Sequence, residues 1–149
     1  MGLLEKQCEP CKGGVPPLKD ARIVELLDEL NNEEFKGTAY FSASREGNWT
    51  VERNNFPTRG NQHYLYRHYV FPDFKQALGL VEVISEKAEE QGHHPDISFG
   101  YGYVDVQLWT HKINGLTESD FYMAAKIEDL FQNNGGYVRA MYSTPIKTV

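Results

Sequence analysis

Between residues 73 and 91 the apolar side chains Phe74, Ala77, Leu78, Val81, Ile84 and Ala88 recur at helical spacing, the stripe of an amphipathic helix of about five turns. Leu80 and Val83 widen that stripe, enough to serve a subunit contact as well as a core. Asp73 stands where a carboxylate caps a helix and meets the positive end of its dipole, and Gly92 stands where a C-cap glycine ends one. A shorter stripe of Ile23, Leu26, Leu27 and Leu30 predicts a helix over 18–31 that stops at Asn31-Asn32. A third helix is expected over 117–133, ended by Asn134-Gly135-Gly136.

Between the helices the pattern changes to short runs rich in aromatic and β-branched residues, which suit strands. Strand-like stretches flank a turn signal at Glu46-Gly47-Asn48, and 54–62 (NNFPTRGNQ) has the chemistry of a loop. HYLYRHYVF reads as a strand that ends at Pro72. ISFGY and YVDVQLWT, joined around Gly102, read as a hairpin, and YVRAMYSTPI near the C-terminus as a strand-like arm. The order helix, two strands, helix, two strands, helix implies an α+β fold: a four-stranded antiparallel sheet with three helices on one face. Residues 1–17, rich in glycine and proline, form an N-terminal arm, and 18–149 form a single domain.

With 149 residues, 40% of them apolar and 13% aromatic, the chain can build one core and is neither disordered nor fibrous. No run is long enough to cross a membrane. The start MGLLEKQCEPCKGG carries charges early and no apolar core, unlike a secretory signal, and Lys6 stands where a myristoylation pattern wants Ser or Thr. A cytoplasmic protein is expected, with a nuclear location also open. The net charge of −6 and the absence of any Lys/Arg cluster longer than a pair disfavour direct nucleic-acid binding, though not contact with a protein that binds nucleic acid. Cys8 and Cys11 have the spacing of half a zinc site or a redox pair, but no second such pair exists, and the glycines and prolines around them favour an incidental or structural pair.

His93 and His94 directly follow the predicted helix stop, and Pro95 restricts His94 to extended geometry. A polar connector is one reading. The other is a pair of imidazoles that hold and exchange protons near neutral pH in one cavity. His111 closes the next hairpin, whose return brings it back toward His93 and His94. His63 and His68, five residues apart on a strand, point to opposite faces and read as surface or packing residues. Glu89, four residues before His93, either orients an imidazole, holds a polar ligand or belongs to a solvated face with Glu86, Lys87 and Glu90. Thr117-x-x-Asp120 matches a capping box, which suffices to explain Asp120, with a role at the site as the second reading. No activated Ser or Cys nucleophile, phosphate loop or dinucleotide fingerprint is present. Acid/base chemistry on a small polar ring is the function these residues favour.

Glu89-x-x-x-His93-His94-Pro95, then Tyr101, Thr110-His111 and Gly115-Leu116-x-Glu118-x-Asp120, resembles the signature of the pterin-4a-carbinolamine dehydratases. VFPDFKQALGLVEVISEKAEE resembles that family's entry into its long helix, and CEPCKGGVPPL the arm of bacterial and plant members. The likeness is strong from about Tyr66 to Leu130 and looser over 49–64. It implies the same α+β fold, a homodimer or homotetramer, no metal or other cofactor, and removal of water from a 4a-hydroxytetrahydropterin to give the quinonoid dihydropterin. Carried onto this chain, it makes His93 and His111 the acid/base pair and His94 mainly a binding residue, all three counted as catalytic. Glu89, Trp109 and Thr110 become pterin contacts, with Asp120 supporting the site. Gly92, Ile97 and Trp109 depart from residues common in the family and would reshape the pocket rim. Animal relatives also serve as dimerisation cofactors of a homeodomain transcription factor, so the alternative function is an interaction module with a transcription-factor partner.

Overall fold

The computed structural model describes residues 2–9, 13–32, 48–54 and 62–133. Its elements are α1 (Asp20–Asn32), β1 (Thr50–Asn54), β2 (Gln62–Val70), α2 (Phe74–Gln91), β3 (Asp96–Gly100), β4 (Tyr103–Leu108) and α3 (Glu118–Asn133), with short 3-10 turns at Leu3–Glu5 and His111–Ile113. This is the expected α+β fold, with the expected order of elements. The strand-like stretch before residue 48, the loop over 55–61, Cys11 and the C-terminal arm lie outside the described residues.

The strands form one sheet in the order β1-β2-β4-β3, and all neighbours are antiparallel. β2 and β3 therefore run parallel with β4 between them, and α2 is the crossover that links the two. The end of α2, the start of β3 and the exit of β4 consequently gather at one end of the sheet. Cross-strand partners Leu65↔Leu108, Arg67↔Val106 and Tyr69↔Val104 point to the helix-covered side, where all six are buried. Ile97 and Phe99 of β3 pack against the same core.

α2 lies over β3 and β4, α3 lies over β2 and beside α2, and α1 packs on α3. Ala77, Leu80, Ile84 and Ala88 supply the buried stripe of α2. Leu80 is thus spent on the core rather than left for a subunit contact, while Val83 is half-buried. Both predicted ends of α2 are realised. Asp73 accepts the Gln76 N–H at 2.8 Å, and Gly92 adopts φ 63°, ψ 29°, a left-handed geometry open to glycine at little cost.

The N-terminal arm is not peripheral in this region. Leu3 is fully buried in the main core, and the buried Lys126 on α3 donates from Nζ to the Leu4 carbonyl at 2.6 Å. Burial also holds the Lys126 ammonium below its usual pKa.

The opposite face of the sheet carries Tyr66, His68, Tyr103 and Asp105, with the Tyr66 hydroxyl (2.7 Å) and His68 Nδ1 (2.5 Å) sharing one Asp105 oxygen. His63 points the other way and meets Arg53, so the two strand histidines do face opposite sides.

One charged pair sits inside the core. Arg67 Nε donates to Glu128 Oε1 at 3.0 Å, and the Tyr69 hydroxyl donates to the same oxygen at 3.2 Å. Arg67 also lies over the Tyr69 ring and donates to the His68 carbonyl. The pair pins α3 to β2, and removing one partner strands the other charge in the interior. Glu128→Leu is expected to destabilise the fold by about 3–5 kcal/mol in urea unfolding, and Arg67→Met/Glu128→Leu by less than that single change.

Candidate active site

The three histidines singled out from the sequence line one cavity of about 250 Å³, together with Gly92, Trp109 and Thr110. Two further residues line it that the sequence did not suggest, Glu9 from the arm and Lys112 beside His111. Each imidazole reaches the cavity by a different local device.

His93 is set by the end of α2. The N–H groups of Gly92 and His93 both donate to the Ala88 carbonyl, the latter at 3.2 Å, so the histidine backbone continues the helix end rather than a free loop. His93 Nε2 lies 2.6 Å from Asp120 Oδ1, and the His93 side chain is only 12% exposed. A carboxylate oxygen only accepts, so Nε2 carries the proton and Nδ1 of the neutral ring is left with a lone pair.

Asp120 is fully buried and does two jobs at once. Its Oδ2 accepts the Thr117 N–H at 2.9 Å, which caps α3, and also the Thr110 hydroxyl at 2.8 Å. Only half of the predicted capping box forms. The Thr117 hydroxyl meets the Thr110 hydroxyl at 2.9 Å; because Thr110 spends its proton on Asp120, Thr117 must be the donor in that bond. The cap and the histidine clamp are therefore one network through Asp120, joining β4, α3 and the end of α2.

His94 lies on the solvent side. Its Nε2 is 2.7 Å from Glu89 Oε2, and the two side chains are 60% and 79% exposed. Both also border a second, more apolar cavity of about 310 Å³ formed by Ile84, Ala88, Pro95 and Ile97. Glu89 thus meets the site through His94 rather than lining the three-histidine cavity.

His111 opens the 3-10 turn after β4, and its ring packs on the buried Trp109 indole at a centroid distance of 4.4 Å. No described residue hydrogen-bonds its ring nitrogens. The turn closes where Thr110 N–H donates to the Gly115 carbonyl at 2.8 Å, with Asn114 in a left-handed conformation. At Gly115 a Cβ would sit 2.8 Å from the Pro17 side chain, which explains why the turn uses glycine there.

The arm is tied across this end of the molecule. Cys8 N–H donates to Gln91 Oε1 at 3.0 Å, Glu9 N–H donates to the Ser119 hydroxyl at 2.9 Å, and Cys8 Sγ lies 3.5 Å from the Ser119 carbonyl. Burial pushes the Cys8 thiol up to about 11, against the opposing pull of Lys126. Among the described residues no group of three or more His, Cys, Asp or Glu converges so as to hold a metal ion. No described helix is long and apolar enough to cross a membrane.

The class is thus an α+β domain with a buried Asp–His pair and two further imidazoles around one cavity. The family model described as pterin 4 alpha carbinolamine dehydratase matches residues 17–130. A protein of Rickettsia bellii named "Putative pterin-4-alpha-carbinolamine dehydratase" is 44% identical over 131 residues, covering 88% of this chain and 95% of that protein. One of the same name from Rubrobacter xylanophilus is 42% identical over 128 residues, covering 86% and 97%. A crystal structure described as a transcriptional coactivator/pterin dehydratase from Brucella melitensis aligns with a TM-score of 0.53 at 28% identity, over 75% of this chain and 95% of that one. The chain belongs to the pterin 4 alpha carbinolamine dehydratase family.

A thiol raised from 9.0 to about 11 exposes roughly 100-fold less thiolate at pH 8 than an unfolded one. In a Cys11→Ser variant, iodoacetamide is expected to alkylate Cys8 slower by about that factor in the folded chain than in urea, as followed by intact mass.

Proposed function

We propose that the protein dehydrates a 4a-hydroxytetrahydropterin to the quinonoid dihydropterin by histidine acid/base catalysis, in support of tetrahydropterin recycling. The observation that carries this reading is the buried Asp120–His93 pair facing the same cavity as His111. In the reaction the C4a–O bond breaks and the hydroxyl leaves as water with a proton from one imidazolium. The N5 proton passes to a second imidazole, and the N5 electron pair closes the C4a=N5 double bond.

His93 and His111 divide these two transfers. His93 is held in one tautomer by Asp120, which suits a group that must present a lone pair. His111 has ring nitrogens that no described residue occupies and is free to meet the hydroxyl. His94, steadied by Glu89, binds and orients the pterin. Trp109 gives the ring a flat apolar wall, whereas Thr110 and Asp120 act through His93, because their polar atoms are already engaged with one another.

His93→Ala and His111→Ala are each expected to lower kcat/KM by about 10²–10⁴-fold, after subtraction of the spontaneous rate. Thermal unfolding should be little changed in His111→Ala and shifted down in His93→Ala, which strips the buried Asp120 carboxylate of a donor. His94→Ala is expected to act mainly on KM. Rates should be the same with and without a chelator. Retention of full activity by the triple histidine-to-alanine variant would refute the site.

Asp120→Asn keeps the size of the side chain but cannot enforce the His93 tautomer. It is expected to lower kcat by roughly 10²-fold or more while KM changes little, which separates a positioning role from substrate contact.

A further inference from the structure

The arm places an acidic residue in the cavity wall, and this residue precedes the segment that the family model matches. Taking the proposed pterin chemistry as given, we propose that Glu9 is a substrate-binding, specificity-determining residue whose carboxylate accepts hydrogen bonds from the 2-amino and N3–H edge of the pterin.

Three observations converge on it. Glu9 lines the same cavity as the three histidines. Its position is fixed by its main chain: its N–H donates to the Ser119 hydroxyl at 2.9 Å, one residue before Asp120, and the neighbouring Cys8 N–H is held by Gln91, two residues before His93. The backbone thus spans the helix ends that carry the Asp–His pair, and the side chain is left over from docking. The Glu9 carboxylate makes no hydrogen bond or ion pair with a described residue, unlike Asp120 and Glu89, which are each committed to a histidine.

The chemistry selects the ligand edge. The pyrimidine part of a pterin offers two parallel N–H donors, from the 2-amino group and N3, at the spacing a carboxylate accepts with both oxygens. Among the described residues, no other in the cavity wall supplies an unengaged carboxylate. The three histidines and Lys112 line the same cavity, and a carboxylate acceptor among them would fix which end of the ring enters. The same edge distinguishes a pterin from ring systems that lack these donors.

The test is Glu9→Gln, which retains the main-chain bonds to Ser119 and removes the charged acceptor pair. Unchanged protection of Cys8 from alkylation reports that the arm stays docked. The expected result is a KM for the 4a-hydroxytetrahydropterin about 10- to 100-fold higher, with kcat within about threefold of the parent. Kd for 7,8-dihydrobiopterin, read by tryptophan fluorescence quenching, should weaken by a similar factor. An N3-methyl dihydropterin should bind the parent poorly and the variant no worse than the unmethylated ligand. Unchanged KM and Kd in a docked Glu9→Gln variant of an active parent overturns the Glu9 proposal alone. A parent that binds dihydrobiopterin in a Glu9-dependent way but does not accelerate dehydration overturns the proposed reaction and leaves Glu9 as the ligand-edge acceptor. A parent that neither binds nor turns over overturns both.

Discussion

The arrangement depends on one buried carboxylate. Asp120 has no exposure, and its two oxygens receive the Thr117 amide that immediately precedes α3, the hydroxyl at the exit of β4 and the imidazole at the end of α2. Burying a carboxylate is costly unless every lone pair finds a donor, and here the donors come from three separate elements. The requirement therefore acts as a constraint on tertiary geometry: β4, α3 and the α2 terminus must meet at one point for the charge to be tolerated. Helix capping, often a local matter, is here inseparable from holding His93.

Around that point the sheet topology does the rest. Because α2 crosses from β2 to β3 and β4 returns between them, the end of α2 and the exit of β4 emerge side by side. Gly92 stops the helix in a left-handed conformation and sends His93 inward to Asp120 and His94 outward to Glu89. Two adjacent histidines thereby obtain different surroundings, one nearly enclosed and one largely solvated. In the proposed reaction that difference lets one residue type serve both as the proton-transfer group and as the binding group.

The arm and the Arg67–Glu128 pair brace this centre from two sides. Leu3 enters the main core, and Lys126, Gln91 and Ser119 each hold the arm backbone, so its path is tied to both helices. Deeper in the core, Glu128 ties α3 to β2, two turns along the helix from Asp120. An ion pair buried to this degree adds little net stability over an apolar pair, and here it joins the helix that carries Asp120 to the second strand of the sheet.

The chain's periodicities by themselves determined the helices, the strand order in sequence and the α+β class, because a helix stripe and a strand alternation each reflect local burial of one side. Gly92 and Asp73 could be assigned as helix ends for the same reason: capping needs only near neighbours. The convergence of His93, His94 and His111 was legible from topology and from the family likeness. What only the tertiary structure decided was the fate of polar atoms. Asp120 reads as a cap in sequence and as a cap plus histidine clamp in space, since its second partner is 27 residues away. Glu9 carried no signal at all, because a flexible-looking arm acquires a position only through bonds to Gln91 and Ser119, more than eighty residues distant. Hydrogen bonds between remote segments leave no periodic trace, and here they determine which side chains reach the cavity.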